Sequence, residues 1–237
     1  MKGNLLQLKK ENGDLLPLQE LPGLTINFNG KKSLIIVEEG AIFHNMKITV
    51  ADSCRIVIEK TAPRGIWHSN INMEGSPNSE LYIGKGCAIE NCYFAMANES
   101  NQSVRIGEDC MFGTNITIRS TDGHIIYDVD SKKLLNQTKP VEIGNHVWIS
   151  ADVTILKGSS IPDNSIVGTG SVVTRSFLEK NIIIAGNPAD IIKHNINWDR
   201  NFIGKYDQIK HTLASKEKRS TSEPLSLKKR MRQILKF

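Results

Sequence analysis

The sequence predicts an all-β protein, a parallel β-helix, on three observations. An aliphatic side chain occupies every sixth position across Ile143, Ile149, Ile155, Ile161, Val167 and Val173. A helix repeats near 3.6 residues and a strand near 2, so neither accounts for this run, whereas fixed hexapeptide self-similarity marks a coil of short parallel strands. Two positions before each next aliphatic stands a small or β-branched residue: Val147, Val153, Ser159, Ser165, Ser171. Between them fall turn-formers such as Gly144-Asn145, Gly158, Asp163-Asn164 and Gly168, which accept tight or left-handed backbone at little steric cost.

Residues 1–30 lack the repeat and are assigned to an irregular N-terminal cap. The β-helix proper is expected over 31–185. Upstream of the clean array the pattern recurs in degraded form, in Ile36/Ile42/Ile48, Val50/Ile56, Ile83/Ile89 and Ile106/Phe112/Ile118. Phase slips between these groups imply short insertions at coil corners. Cys54, Cys87 and Cys110 each lie four residues after an aliphatic, where a small inward side chain is wanted. With no CxxC pair present, the four cysteines are read as buried reduced thiols. Three hexapeptides make a coil of roughly 18 residues, so Ile143 should stack under Ile161 and Ile149 under Val167.

Between Ile118 and Ile143 the period fails over RSTDGHIIYDVDSKKLLNQTKPVE. This is read as a loop, 119–140, thrown out from a coil corner; loops beyond about 12–15 residues in a compact array are usually functional or disordered. Past Val173 the Gly186-Asn187-Pro188 corner carries a candidate cis peptide. Residues 186–237 then form a C-terminal cap and a basic helical tail. Two short amphipathic helices are expected there, in IGKYDQIKHTLASKEKR and LSLKKRMRQILKF, the second placing Leu227, Met231, Ile234 and Leu235 on one side.

Apolar residues make up 39% of the chain and aromatic ones only 6%, which suits a core of Ile and Val. No window reaches the roughly 18 apolar residues of a spanning helix, and the N-terminus lacks the apolar stretch of a signal peptide. The expectation is a cytoplasmic protein. The net charge of +5 is concentrated: from Lys205 to Phe237 ten basic residues face three acidic ones, giving +7 and leaving −2 for the first 204 residues. No nucleic-acid partner is implied. A basic amphipathic tail suits either an anionic membrane surface or the steering of an acidic polymer.

The run PVEIGNHVWISADVTILKGSSIPDNSIVGTGSVVTRSF, followed by IIAGNPADIIK, resembles the hexapeptide-repeat acyltransferases. Within these it is similar to the galactoside and maltose O-acetyltransferase branch, and closer still to enzymes that O-acetylate capsule, polysialic acid or lipopolysaccharide sugars. The resemblance is dense over Val104–Lys193 and implies a left-handed coil, against the general right-handed rule for parallel crossovers. It further implies a homotrimer with acetyl-CoA, the co-substrate, in the groove between subunits, and no metal. His124, in the matching GH pair at the loop's exit, is then the general base that takes a proton from a sugar hydroxyl; an imidazole with a pKa near 6.5 suits that task. Trp148, outward in phase just before Ile149, would lie by the reacting centre. The CoA contacts carried over are Ala151, Thr169, Thr174, Arg175 and Lys193. Asp190 stands where the galactoside enzymes have a basic residue, so the phosphate contacts are expected to be reorganised. Asp122 is a candidate to orient His124, and a backbone N–H near Ala151 to hold the oxyanion. His68, in RGIWHSN, is a candidate to touch the acceptor sugar.

The function expected from the resemblance is acetyl transfer to a hydroxyl of a bacterial surface polysaccharide, directly in a ternary complex, with the basic tail in peripheral contact with the inner membrane or capsule machinery. N-acetylation of a nucleotide-linked amino sugar is the alternative that these motifs do not separate. A γ-type carbonic anhydrase needs three imidazoles around zinc, and only His124 and His146 lie in the array. A non-catalytic scaffold leaves Trp148 and the His-bearing loop unexplained.

Overall fold

The structure, a computed structural model, describes residues 3–210 and 212. The first of two compact units, residues 1–198, holds three sheets of eight, eight and seven strands. The chain passes from the first face to the second to the third and repeats, as in Val141–Ile143, Trp148–Ile149 and Thr154–Leu156. In the clean array the stacking is as the spacing predicts: Ile143 pairs with Ile161, Ile149 with Val167 and Ile155 with Val173, each 18 residues on. All six of these side chains are buried.

Upstream the coils widen. Ile66 pairs with Ile89 and Ile89 with Phe112, 23 residues apart. That width explains one misphased series. Ile42 faces outward at 38% exposure, while its neighbour Phe43 is buried at 5%. A one-residue slip transfers a strand's apolar set to the other side. The segment assigned to an irregular cap is also built of strands: Leu5–Lys9 pairs in parallel with Leu34–Glu38, and Leu24–Phe28 with Met46–Val50. The pattern there is legible only against the partner strands, since the coil linking Leu5 to Leu34 is too wide for a hexapeptide count.

Corners are fixed by residues that tolerate positive φ. At the corner between the first and second faces these are Gly86, Asp109, His146 and Asn164, one per coil. Just before them, Gly107 and Gly144 sit where successive coils touch: a Cβ on Gly107 would lie 2.5 Å from the Gly144 carbonyl oxygen. The Asn145 amide oxygen accepts from Glu108 N–H, and Asp163 Oδ1 from Asn145 N–H, both at 2.8 Å. All four cysteines are buried thiols. Burial pushes the Cys54, Cys92 and Cys110 thiols up, which keeps them as inert apolar fillers. The Asn187–Pro188 peptide is cis.

The second unit begins at residue 199. Its described part contains a 3-10 turn, Ile203–Lys205, leading into helical residues 206–210. The expected helix 225–237, with Leu227, Met231, Ile234 and Leu235, lies outside the described residues. Among those described, no helix is long and apolar enough to cross a membrane.

Replacing Gly107 by Ala should destabilise the coil by about 1–3 kcal/mol, the cost of overpacking, because backbone of the next coil must yield. Urea denaturation of the pure variant measures this; an unchanged midpoint would show that the coils are not in contact there.

Candidate active site

The hairpin-like arm that carries His124 leaves the third face after Ile116–Arg119 and returns to the first face at Val141–Ile143. Its tip is closed by Asp128 N–H to Lys133 O and Leu135 N–H to Ile126 O. The register below and above is undisturbed: Arg105 pairs with Glu142, Met111 with Trp148 and Thr117 with Thr154.

Three side chains tie the base of the arm. From the coil below, Glu99 accepts from Thr121 Oγ1 with one oxygen and from Thr138 N–H with the other, both at 2.6 Å. It thereby joins the outgoing strand to the returning one. Beneath it the buried Gln102 donates to Ser76 Oγ, Met96 O and Glu99 O, and accepts from Ser120. From the coil above, the half-buried Lys157 reaches Asp122 at 2.6 Å and the carbonyls of Asn136 and Gln137. Within the arm, Asn136 donates to Asp122 and to the His124 carbonyl and accepts from Ile126 N–H. His124 itself is exposed and lines a cavity of about 170 Å³ with Glu99, Thr121, Gly123, Leu134 and Asn136. Asp122 does not orient it, as the sequence suggested. Its carboxylate is taken by Lys157 and Asn136, and the Lys157 hydrogen bond holds it below the ordinary aspartate value.

The other expected residues fall into two groups. Trp148 is outward and half-buried on the second face. Ala151 follows at the corner to the third face. Thr169 sits at the same corner one coil on, where Gly170 N–H donates to Ala151 O. Ser150 and Asp152 donate their N–H groups to Val167 O and Thr114 O. Lys193 ends Ala189–Lys193, the antiparallel return on Ile183–Gly186 of the second face. Thr174 and Arg175, by contrast, lie beyond the third face, at the corner from which the His124 arm also leaves. That corner and the second face lie on opposite sides of a three-faced coil, so one chain does not bring His124 and Trp148 together.

Arg175 is paired with Asp190 and lies over the Phe177 ring at 4.8 Å. Both members of the pair are exposed, so the interaction is weak and exchangeable. The sequence reading missed the seat of Trp148. Trp198, buried at 9% exposure, stands 6.1 Å from it at 46°. Trp198 stacks on His146 at 4.2 Å, donates from Nε1 to the His146 carbonyl, and accepts from His146 Nε2 through its own carbonyl. His146 Nδ1 meets Asp109 at 2.7 Å. Only the positive-φ corner that the repeat demands at His146 pointed to it; Trp198 lies 52 residues away, outside any repeat.

Stacked hexapeptide coils with an imidazole on an extruded arm and a smooth corner beside an outward tryptophan define a β-helical acyltransferase. The comparisons agree. Residues 140–175 match the bacterial transferase hexapeptide model, six repeats. The polysialic acid O-acetyltransferase of Neisseria meningitidis is 34% identical over 195 residues, covering 74% of this chain and 86% of that protein. That of Escherichia coli O1:K1 is 34% identical over 137 residues, and the matched region spans 44% of its length. The crystal structure of the polySia-specific acetyltransferase NeuO superposes with a TM-score of 0.68 at 27% identity, covering 90% of this chain and 94% of that one. The chain belongs to the hexapeptide-repeat acetyltransferases and shares their left-handed parallel β-helix.

Two outcomes test the arm's anchorage. The amide shifts of residues 122–126 should titrate with a midpoint below the ordinary aspartate value: the folded state binds this proton less readily than the unfolded chain, so the ion pair's contribution is present above that range and lost as pH falls through the lowered pKa. In Lys157→Met the midpoint should rise. Glu99→Ala should speed amide exchange over 121–138 at least several-fold while shifting the global unfolding midpoint little, because the strands' register does not pass through the arm. Unchanged exchange would show that Glu99 is not the tie.

Proposed function

We propose that the protein transfers an acetyl group from acetyl-CoA to a hydroxyl of an acidic surface polysaccharide of the polysialic acid type. The observation that carries this reading is an exposed His124 lining a cavity on a rigidly anchored arm, in a chain 34% identical to a polysialic acid O-acetyltransferase over most of its length. His124 takes the proton from the attacking hydroxyl as its oxygen bonds to the thioester carbonyl carbon. The negative charge passes to the carbonyl oxygen, and collapse of the adduct breaks the C–S bond. The proton on the imidazolium then goes to the departing thiolate. The Ala151 N–H is the candidate oxyanion donor, since its neighbours' N–H groups are already spent within the coil.

The corner residues fit the donor. The outward positions after the inward residues of the second face read Gly113, Ser150, Gly168 and Ala185, and a Cβ on Gly168 would meet the Ala185 Cβ at 2.9 Å. No side chain stands in the way of a pantetheine arm lying beside Ala151 and Thr169. Lys193 is exposed for the phosphates on that side, while Thr174 and Arg175, at the arm's corner, meet the CoA of the neighbouring subunit's site, Arg175 by exchanging Asp190 for a phosphate, which it binds as a fork. The four buried reduced thiols suit a cytoplasmic setting.

A complete site needs a second copy, because His124 and Trp148 of one chain face apart. A homotrimer in which each arm reaches the second face of a neighbour supplies it. The arm's apolar side chains support this: Ile125, Ile126 and Leu135 are 79, 52 and 62% exposed in the single chain, an unusual cost for a loop left in water.

Thiol release from acetyl-CoA should depend on polysialic acid and fall by about 10² or more in His124→Ala. Release that persists in the variant sinks the mechanism, and release supported only by a nucleotide-linked amino sugar replaces the acceptor. Coexpressing His124→Ala with Trp148→Ala chains should restore activity to about a quarter of sites, the share in which an intact His124 meets an intact Trp148 across a random trimer. No restoration would mean that the two residues serve the same subunit's site.

A further inference from the structure

The chain has three tryptophans, and two of them, Trp67 and Trp148, are outward on the second face, with Trp198 seated against Trp148. Trp67 has no place among the donor contacts. It pairs in register with His44 on the neighbouring coil, and the two rings stack at 3.8 Å and 25°. Both remain half-buried rather than covered. The indole N–H donates to the Arg64 carbonyl, which fixes the ring's plane. Around it stand polar groups in the open: His68, tilted 6.0 Å from the indole, Asn45 against His68 Nδ1 at 3.3 Å, and the Arg64 guanidinium on Glu90 at 2.6 Å.

Its position on the face is as telling as its chemistry. The strand of Trp67 is separated from that of Trp148 by two strands, Ala88–Ile89 and Met111–Phe112. At 4.7–4.9 Å per strand this is roughly 14 Å, the span of a short oligosaccharide. Between them the column through Trp67 continues as Glu90 and Gly113 and the one through Trp148 as Met111 and Ala88, so the path runs over the half-buried side chains of Glu90 and Met111. The donor residues Ala151, Thr169 and Lys193 all lie level with Trp148 or towards the C-terminal coils. The N-terminal coils of the same face are left for the other substrate.

We propose that His44, Trp67 and His68, with Asn45 and Arg64 at the rim, form a distal subsite for a saccharide chain, holding sugar units beyond the one acetylated near Trp148. This rests on the acceptor reading above. An indole with one polar edge and an apolar face packs on a sugar ring's C–H surface. The imidazoles, amide and guanidinium supply donors for hydroxyls and carboxylates. The proposal commits to an extended, anionic carbohydrate.

The test is equilibrium binding of polysialic acid fragments of graded length to the full chain without acetyl-CoA, comparing the intact protein with Trp67→Ala, Trp67→Phe and His124→Ala, each first checked for an unchanged circular dichroism spectrum. Trp67→Ala should weaken long fragments about tenfold or more and leave a disaccharide unaffected. Trp67→Phe, which keeps an aromatic face, should retain most of the affinity, and any loss in His124→Ala should be the same at every fragment length. In turnover, Trp67→Ala should raise KM for long acceptors with kcat and the KM for acetyl-CoA unchanged. Equal binding by the intact protein and Trp67→Ala, equal loss at all lengths, or no binding by the intact protein overturns the proposal. Thiol release that survives in His124→Ala, beside a length-selective loss in Trp67→Ala, would instead remove the catalytic reading and leave the subsite standing.

Discussion

Parallel pairing between successive coils governs everything else in this molecule. Each strand spends its backbone donors and acceptors on the coil below and the coil above, so a residue's neighbours are its counterparts one turn away in either direction. Inward positions thereby become continuous columns of Ile, Val and small side chains, and each corner must repeat one backbone geometry. Asp109, His146 and Asn164 take the same positive φ for that reason. Gly107 and Gly144 are required because the turns above them approach to within the reach of a Cβ. Side chains on the outside are ranked with equal strictness, which is how His44 comes to lie on Trp67 and Met111 beside Trp148.

Against this regular frame the His124 arm is an irregular part held by regular ones. Its own hydrogen bonds close the tip and, through Asn136, the stretch around His124, while its base is tied to Glu99 below and Lys157 above. A carboxylate and an ammonium from two different coils thus set where the imidazole emerges. The arrangement sets the imidazole's position from the stacked scaffold and leaves the apolar side chains Ile125, Ile126 and Leu135 exposed.

Where contacts are local in the repeat, the sequence announced them. The column from Ile143 to Val173, its 18-residue stacking, the thiols at small inward positions and the extruded loop all follow from spacing. Where the coil widens, the count slips, as at Ile42 and Phe43, and the strands within residues 1–30 escaped notice. Long-range polar contacts left no trace in the spacing. Glu99 meets Thr138 across 39 residues and His146 meets Trp198 across 52, distances that only the folded coil converts into neighbours. Asp122 was misjudged for the same reason: its partner Lys157 belongs to the next turn, out of sight of the local motif.

The undisturbed register on both sides of the arm has an evolutionary reading. Strands before and after it pair 37 residues apart without a shift, so the scaffold is indifferent to what the arm contains. Closing a longer excursion costs little, about 0.6 kcal/mol for each doubling of its length. The arm can therefore be lengthened or exchanged at one corner while the remaining turns keep their pairing, which separates the part that can vary from the spine that cannot.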